Sequence, residues 1–125
     1  MIYRHALSFG AFAAVFAPAA PVLAQHSFAA EFDSNTPLTL KGKVTKVEWT
    51  NPHAHCHIDV KDSSGRVVNW DFELGSPNNL MRFGWTRDLL KIGDEVTFMG
   101  FAAKNSPAAA NARNIRLASG RRLSA

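Results

Sequence analysis

The chain has 125 residues, with 14 Lys and Arg against 10 Asp and Glu, a formal net charge of +4, and 46% hydrophobic residues. The two signs of charge are interspersed, which suits solubility and leaves no polybasic stripe for nucleic acid or an anionic membrane. A single cysteine, Cys56, excludes an intramolecular disulfide.

Residues 1–24 read as a secretory signal. Arg4 and His5 supply a basic start, and Ala6 to Ala20 is mostly Ala, Phe, Val and Leu. "PVLA" then puts the small residues Val22 and Ala24 at the cleavage positions. The apolar run is shorter than the roughly 20 residues a spanning helix needs, and Pro18 and Pro21 interrupt its end. The mature chain is therefore expected to begin at Gln25, to be periplasmic or secreted, and to carry no transmembrane segment. Removing 24 of 125 residues leaves 101, enough for one domain with a modest core.

Residues 25–37 form a polar arm with Phe28 and Phe32 that ends in the turn formers "DSNTP". A β pattern starts at Leu38. Leu40, Gly42 and Val44 keep one parity, Val47 and Trp49 the other, and a one-residue slip of this kind is a β-bulge. Gly42 would ease the bend. The second strand alternates Ala54, Cys56, Ile58 and Val60 inward with His53, His55, His57, Asp59 and Lys61 outward. The third places Val68, Trp70, Phe72 and Leu74 inward, with Val67, Asn69, Asp71 and Glu73 outward. Ser63-Ser64-Gly65 between them fits a type I turn with glycine in the left-handed position.

In "GSPNNLMRFGW", Ser76 suits a helix N-cap and Pro77 the first helical position. Leu80, Met81 and Phe83 form the apolar side and Gly84 closes the helix. "LLKIGDEV" turns into a fourth strand, Glu95 to Ala103, and "ARNIRLASGRRL" gives a fifth, with Ser119-Gly120 able to turn a final hairpin. Bulged first strand, five strands and one short helix between strands three and four give an all-β, OB-like Greek-key barrel over residues 38–125. An open five-stranded meander is the alternative. Cys56 shares the inward parity and is expected to be a buried structural thiol. Trp49, Trp70 and Trp85 are expected in the core.

The segments "HSFAAEFD", "GKVTKVEWTNPHA", "VVNWDFELGSP", "GWTRD", "GDEVTF" and "ANARNI", in this order, resemble a family of small exported bacterial proteins, domain of unknown function 6152. The resemblance spans the mature chain and implies an exported, single-domain β-protein without an assigned activity. Trp49, Asn51, Pro52, His53, Trp70, Trp85 and Arg87 match the family pattern. His55 and His57 depart from it, since those positions are usually aromatic or apolar.

"TNPHAHCHIDV" throws His53, His55 and His57 to one face of a strand. With Ser63–Gly65 as the hairpin tip, Val60 faces Val68, Ile58 faces Trp70 and Cys56 faces Phe72. The same register sets His57 opposite Asp71 and His55 opposite Glu73, with Cβ atoms about 4.5–5.5 Å apart. In an OB-like barrel this face is the usual ligand surface.

Asn51, His53, His55, His57, Asp71 and Glu73 are therefore the candidate ligand-binding residues. Asn51 and His53 could alternatively serve only to bond the loop backbone. The main reading is a module that binds a small ligand or an envelope protein partner. A plain solvated sheet face is the structural alternative. The other functional reading is a copper or zinc site using His55 and His57 with Asp71 or Glu73. A histidine held by a carboxylate can also do acid–base chemistry. No nucleophile elbow, reactive cysteine or phosphate-binding loop accompanies it, so no catalytic residue is assigned.

Overall fold

The structure is a computed structural model that describes residues 28–125 and, before them, Ala13 alone. The remainder of the expected signal sequence and residues 25–27 of the arm lie outside the described residues. Six strands follow one another: β1 (Phe32–Glu48), β2 (His55–Lys61), β3 (Val67–Glu73), β4 (Glu95–Ala103), β5 (Ala109–Leu117) and β6 (Arg122–Ser124). Helix α1 (Pro77–Arg82) lies between β3 and β4 in the chain. Residues 28–31 form a short helical turn. Among the described residues no helix is long and apolar enough to cross a membrane.

The strands make one sheet in the order β3-β2-β1-β4-β5-β6, and β3 also pairs in parallel with β5 through Asp71–Ala109, Phe72–Ala110 and Glu73–Asn111. β1 is long enough to serve two partners. Its residues from Phe32 to Lys43 pair with β4, and those from Lys43 to Glu48 pair with β2. The β1–β2 ladder shifts register between Val44 and Lys46. This is the bulge that the parity slip between Val44 and Val47 calls for.

Two expectations about strand extent are corrected. β1 begins at Phe32, not at Leu38, because "DSNTP" makes a second bulge inside the strand instead of ending one. Asp33 Oδ1 accepts from the Asn35 amide at 2.9 Å and Oδ2 from the Thr36 hydroxyl at 2.7 Å, and the β1–β4 register shifts between Phe32 and Pro37. The Thr36 hydroxyl first, then the Asn35 amide, hold the Asp33 carboxyl below its ordinary range. The described residues hold six strands, not five, because Gly120 at φ +91° turns Arg122–Ser124 back onto β5.

The inward parities meet in one core. Val44, Cys56, Ile58, Phe72, Leu74, Leu80, Phe98 and Ile115 are each at most 1% exposed. Phe72 of β3 stacks on Phe98 of β4 with centroids 4.6 Å apart, so strands that are not neighbours in the sheet face each other across it. Burial, with the nearby negative charge of Asp71, pushes the Cys56 thiol up to about 12, as befits an inert packed cysteine. Trp85 is buried and donates from Nε1 to the Ser124 carbonyl at 2.7 Å, while Trp49 and Trp70 pack half-buried against the core.

Ser76 caps α1 by accepting from the Asn79 amide at 3.3 Å, and Pro77 occupies the first turn. Only Pro77 and Leu80 of the helix are buried. Met81 and Phe83, expected on the apolar side, are 52% and 47% exposed, because so short a helix offers the core only one narrow stripe.

Candidate functional site

The hairpin β2–β3 sets the site. Asp62 Oδ1 accepts from the Ser64 and Arg66 amides and the Ser64 hydroxyl, and Gly65 takes φ +84°. That turn fixes the register as Val60–Val68, Ile58–Trp70, Cys56–Phe72, His57–Asp71 and His55–Glu73, the pairs expected from parity. On the outer face, Asn69 donates from Nδ2 to both Asp59 Oδ1 and Thr45 Oγ1 at 2.9 Å. The bulge residue Thr45 in turn donates to the His57 carbonyl at 3.2 Å.

The directly opposite His57 and Asp71 approach to 3.9 Å, but the expected His55–Glu73 contact is replaced by diagonal ones. His55 Nδ1 lies 2.9 Å from Asp71 Oδ1, and His53 Nδ1 lies 2.8 Å from Glu73 Oε1. His57 Nε2 is 3.8 Å from Glu48 Oε2 and 3.9 Å from Asp71 Oδ1, and this buried nitrogen has no hydrogen-bond partner among the described residues. The two close contacts are diagonal, each to a carboxylate two residues from the position directly opposite. Strand twist rotates a directly opposite pair apart and swings the diagonal neighbour into reach of a ring or a long carboxylate.

An ionised carboxylate only accepts, so each engaged Nδ1 carries a proton, and in the neutral ring it is Nε2 that keeps the lone pair. The sheet thus presents two imidazoles in a fixed tautomer. Their pairing with carboxylates on half-exposed positions orients the rings and adds little to stability.

His53 and His55 open into a cleft of about 750 Å³. Its walls come from the segment before and into β1 (Phe28, Glu31, Phe32), the β1–β2 loop (Thr50, Asn51, Pro52), and Glu48, Glu73 and Asn111. The loop is held by the Thr50 hydroxyl, which donates to the His53 carbonyl at 3.0 Å, while Asn51 and Pro52 are exposed and joined by a cis peptide. Phe28 is anchored against Phe32 and Phe101, with the Arg113 guanidinium 4.7 Å over its ring.

Asn51, His53, His55 and Glu73 thus come together at one cleft. Asp71 supports the site from beside it, and His57 is set back toward Glu48 and Asp71. Glu48 was not a sequence candidate, although its outward parity between Val47 and Trp49 places it directly opposite His55. The ammonium of Lys46, 2.6 Å from Glu48 Oε1, holds the Glu48 carboxyl below its ordinary range and is itself held up by it. Asn111 reaches the cleft through the parallel β3–β5 pairing, which no local pattern announces. Among the described residues no three His, Cys, Asp or Glu side chains are grouped so as to hold a metal ion.

The fold and site define an all-β domain with a histidine-walled cleft. The chain belongs to the Family of unknown function (DUF6152), which matches residues 13–112. A search of curated proteins finds no significant match.

Proposed function

We propose that the protein is an exported, OB-like barrel that binds a small ligand in the cleft beside His53 and His55. The sheet pairings run β1-β2-β3-β5-β4 and return to β1, with the β3–β5 contact parallel, and this circuit supports a closed Greek-key barrel. The signal-like residues 1–24 support export to the periplasm or beyond. The observation that carries the binding role is the cleft itself. Its volume of about 750 Å³ lies in the range of small-molecule sites. Two of its polar groups are rings locked in one orientation by carboxylates on β3, the preorganisation that a binding site needs. Nothing beside them is an activated nucleophile, so binding, not turnover, is the activity assigned.

Native mass spectrometry of protein recovered from its producing cell tests this reading. The expected species begins at Gln25 and carries a small molecule that is absent from His53→Ala protein. An uncut Met1 start contradicts export. Ligand retained in full by the His53→Ala protein contradicts the cleft as the site.

A further inference from the structure

The geometry points to an organic cation, a primary ammonium or guanidinium on a short apolar body, as the class of ligand this cleft takes. The inference rests on the binding role proposed above and names its chemistry.

Among the described residues the charged lining is built of carboxylates, and the Asn51 and Asn111 amides add groups that can both donate and accept. Glu31, Glu48 and Glu73 contribute carboxylates, Glu48 shared with Lys46 and Glu73 with His53, and no Lys or Arg is among the described lining residues, on a chain whose net charge is +4. The histidines, which could have been donors, are turned into acceptors. Because Nδ1 of each faces a carboxylate at 2.8–2.9 Å, the nitrogen left for a ligand is Nε2, which in the neutral ring is an acceptor. Thr50 spends its hydroxyl proton on the His53 carbonyl. A ligand that brings positively charged donors is thus favoured, and an anion would meet carboxylates with no Lys or Arg among the described lining residues to receive it.

Cations near the cleft among the described residues are already engaged, Lys104 with the Ala29 carbonyl. Lys46 is bound to Glu48, and Arg113 lies over the Phe28 ring. Arg113 already takes up a face of the Phe28 ring, so Phe28 serves the cleft as apolar wall. Phe28, Phe32 and Pro52 supply an apolar wall beside the acceptors, which suits an alkyl ammonium better than a bare ion. A metal ion is the other cation the acceptors might attract. The cleft is far larger than an ion, and among the described residues no three ligating side chains are grouped to hold one.

The test is a titration of the protein as recovered from its producing cell, followed by amide chemical shifts. The probes are agmatine and 1,5-diaminopentane, with glutarate as an anion of similar length and Zn2+ as the metal probe. Agmatine and the diamine should shift the amides of Glu31, Glu48, Asn51, His53 and His55 saturably, and glutarate should not. Glu31→Gln should weaken agmatine by about fivefold, the size expected for one partly exposed charge pair. Phe28→Ala should weaken it about two- to fivefold through the lost apolar wall.

Both variants lie at the edge of the core and should keep the wild-type amide spectrum elsewhere. No saturable shift with either amine, tighter binding of glutarate, or unchanged agmatine affinity in both variants overturns the inference. So does Zn2+ binding that agmatine cannot compete with. If the co-purified molecule of the native spectrum is anionic yet lost with His53→Ala, the cation inference fails and the cleft stands as a site. If the cleft amides answer to no probe and no molecule co-purifies, both fail.

Discussion

Gly100→Ala should destabilise the domain by about 3 kcal/mol or more, among the largest effects of any single alanine substitution. A Cβ built on Gly100 would sit 1.8 Å from the Asn111 carbonyl oxygen and 2.8 Å from its carbon, both backbone atoms of the neighbouring strand. No rotamer relieves that contact, so β4 and β5 must separate where their register already shifts between Met99 and Gly100. For a domain of this size the loss corresponds to a fall of about 10–20 °C in thermal midpoint. Gly42 is the milder relative, with its Cβ 2.3 Å from the Asp59 carbonyl oxygen, at the crossing of β1 and β2. Gly65→Ala is the control, since a Cβ there meets nothing within 4 Å and only the φ of +84° resists it. It should cost only about 1 kcal/mol. Thermal unfolding of the three variants followed by far-UV circular dichroism checks the ranking. Equal midpoints for Gly100→Ala and Gly65→Ala would refute the close approach of β4 to β5.

Phe72→Ala should cost about 3–5 kcal/mol. Phe72 is fully buried and stacked on Phe98 at 4.6 Å, 17° from parallel, with Trp70 at 6.4 Å on its own strand. Truncation removes both the transfer term and the packing of the ring that joins β3 to β4, and the surrounding strands are too constrained to collapse into the gap. Denaturant unfolding should give a lower midpoint with a slope close to wild type. A loss below about 1 kcal/mol would mean that the Phe72–Phe98 stack is not the centre of the core.

Much of the fold is legible because alternation is local. Cys56, Ile58 and Phe72 declare their side by parity. The Ser63–Gly65 turn then fixes the β2–β3 register, since a slip of one residue would bury His55 and His57. The bulge at Thr45 is legible in the same way, from the change of phase between Val44 and Val47. What parity does not carry is the start of β1. "DSNTP" has the composition of a turn, and whether it ends a strand or bulges one depends on β4 standing beside it.

The site shows the same division. His53, His55 and Glu73 are found by face and register. Their side-chain partners are not, because twist shifts each contact to the diagonal carboxylate. Phe28 and Asn111 are invisible to local patterns, since both reach the cleft through long-range contacts. Glu48 was within reach, because the outward parity that exposes His55 exposes it too.

The claim on which the site rests is the state of two rings. A long-range 1H–15N correlation spectrum of the imidazoles, recorded above neutral pH and assigned with His53→Gln and His55→Gln, reports which nitrogen carries the proton. Both His53 and His55 should show protonated Nδ1 and an unprotonated Nε2, against the ordinary preference of an exposed imidazole. Asp71→Asn should release the constraint on His55 alone, and Glu73→Gln that on His53 alone. Protonated Nε2 on both rings in the wild-type protein would contradict the carboxylate pairing and the acceptor role of the two rings built on it.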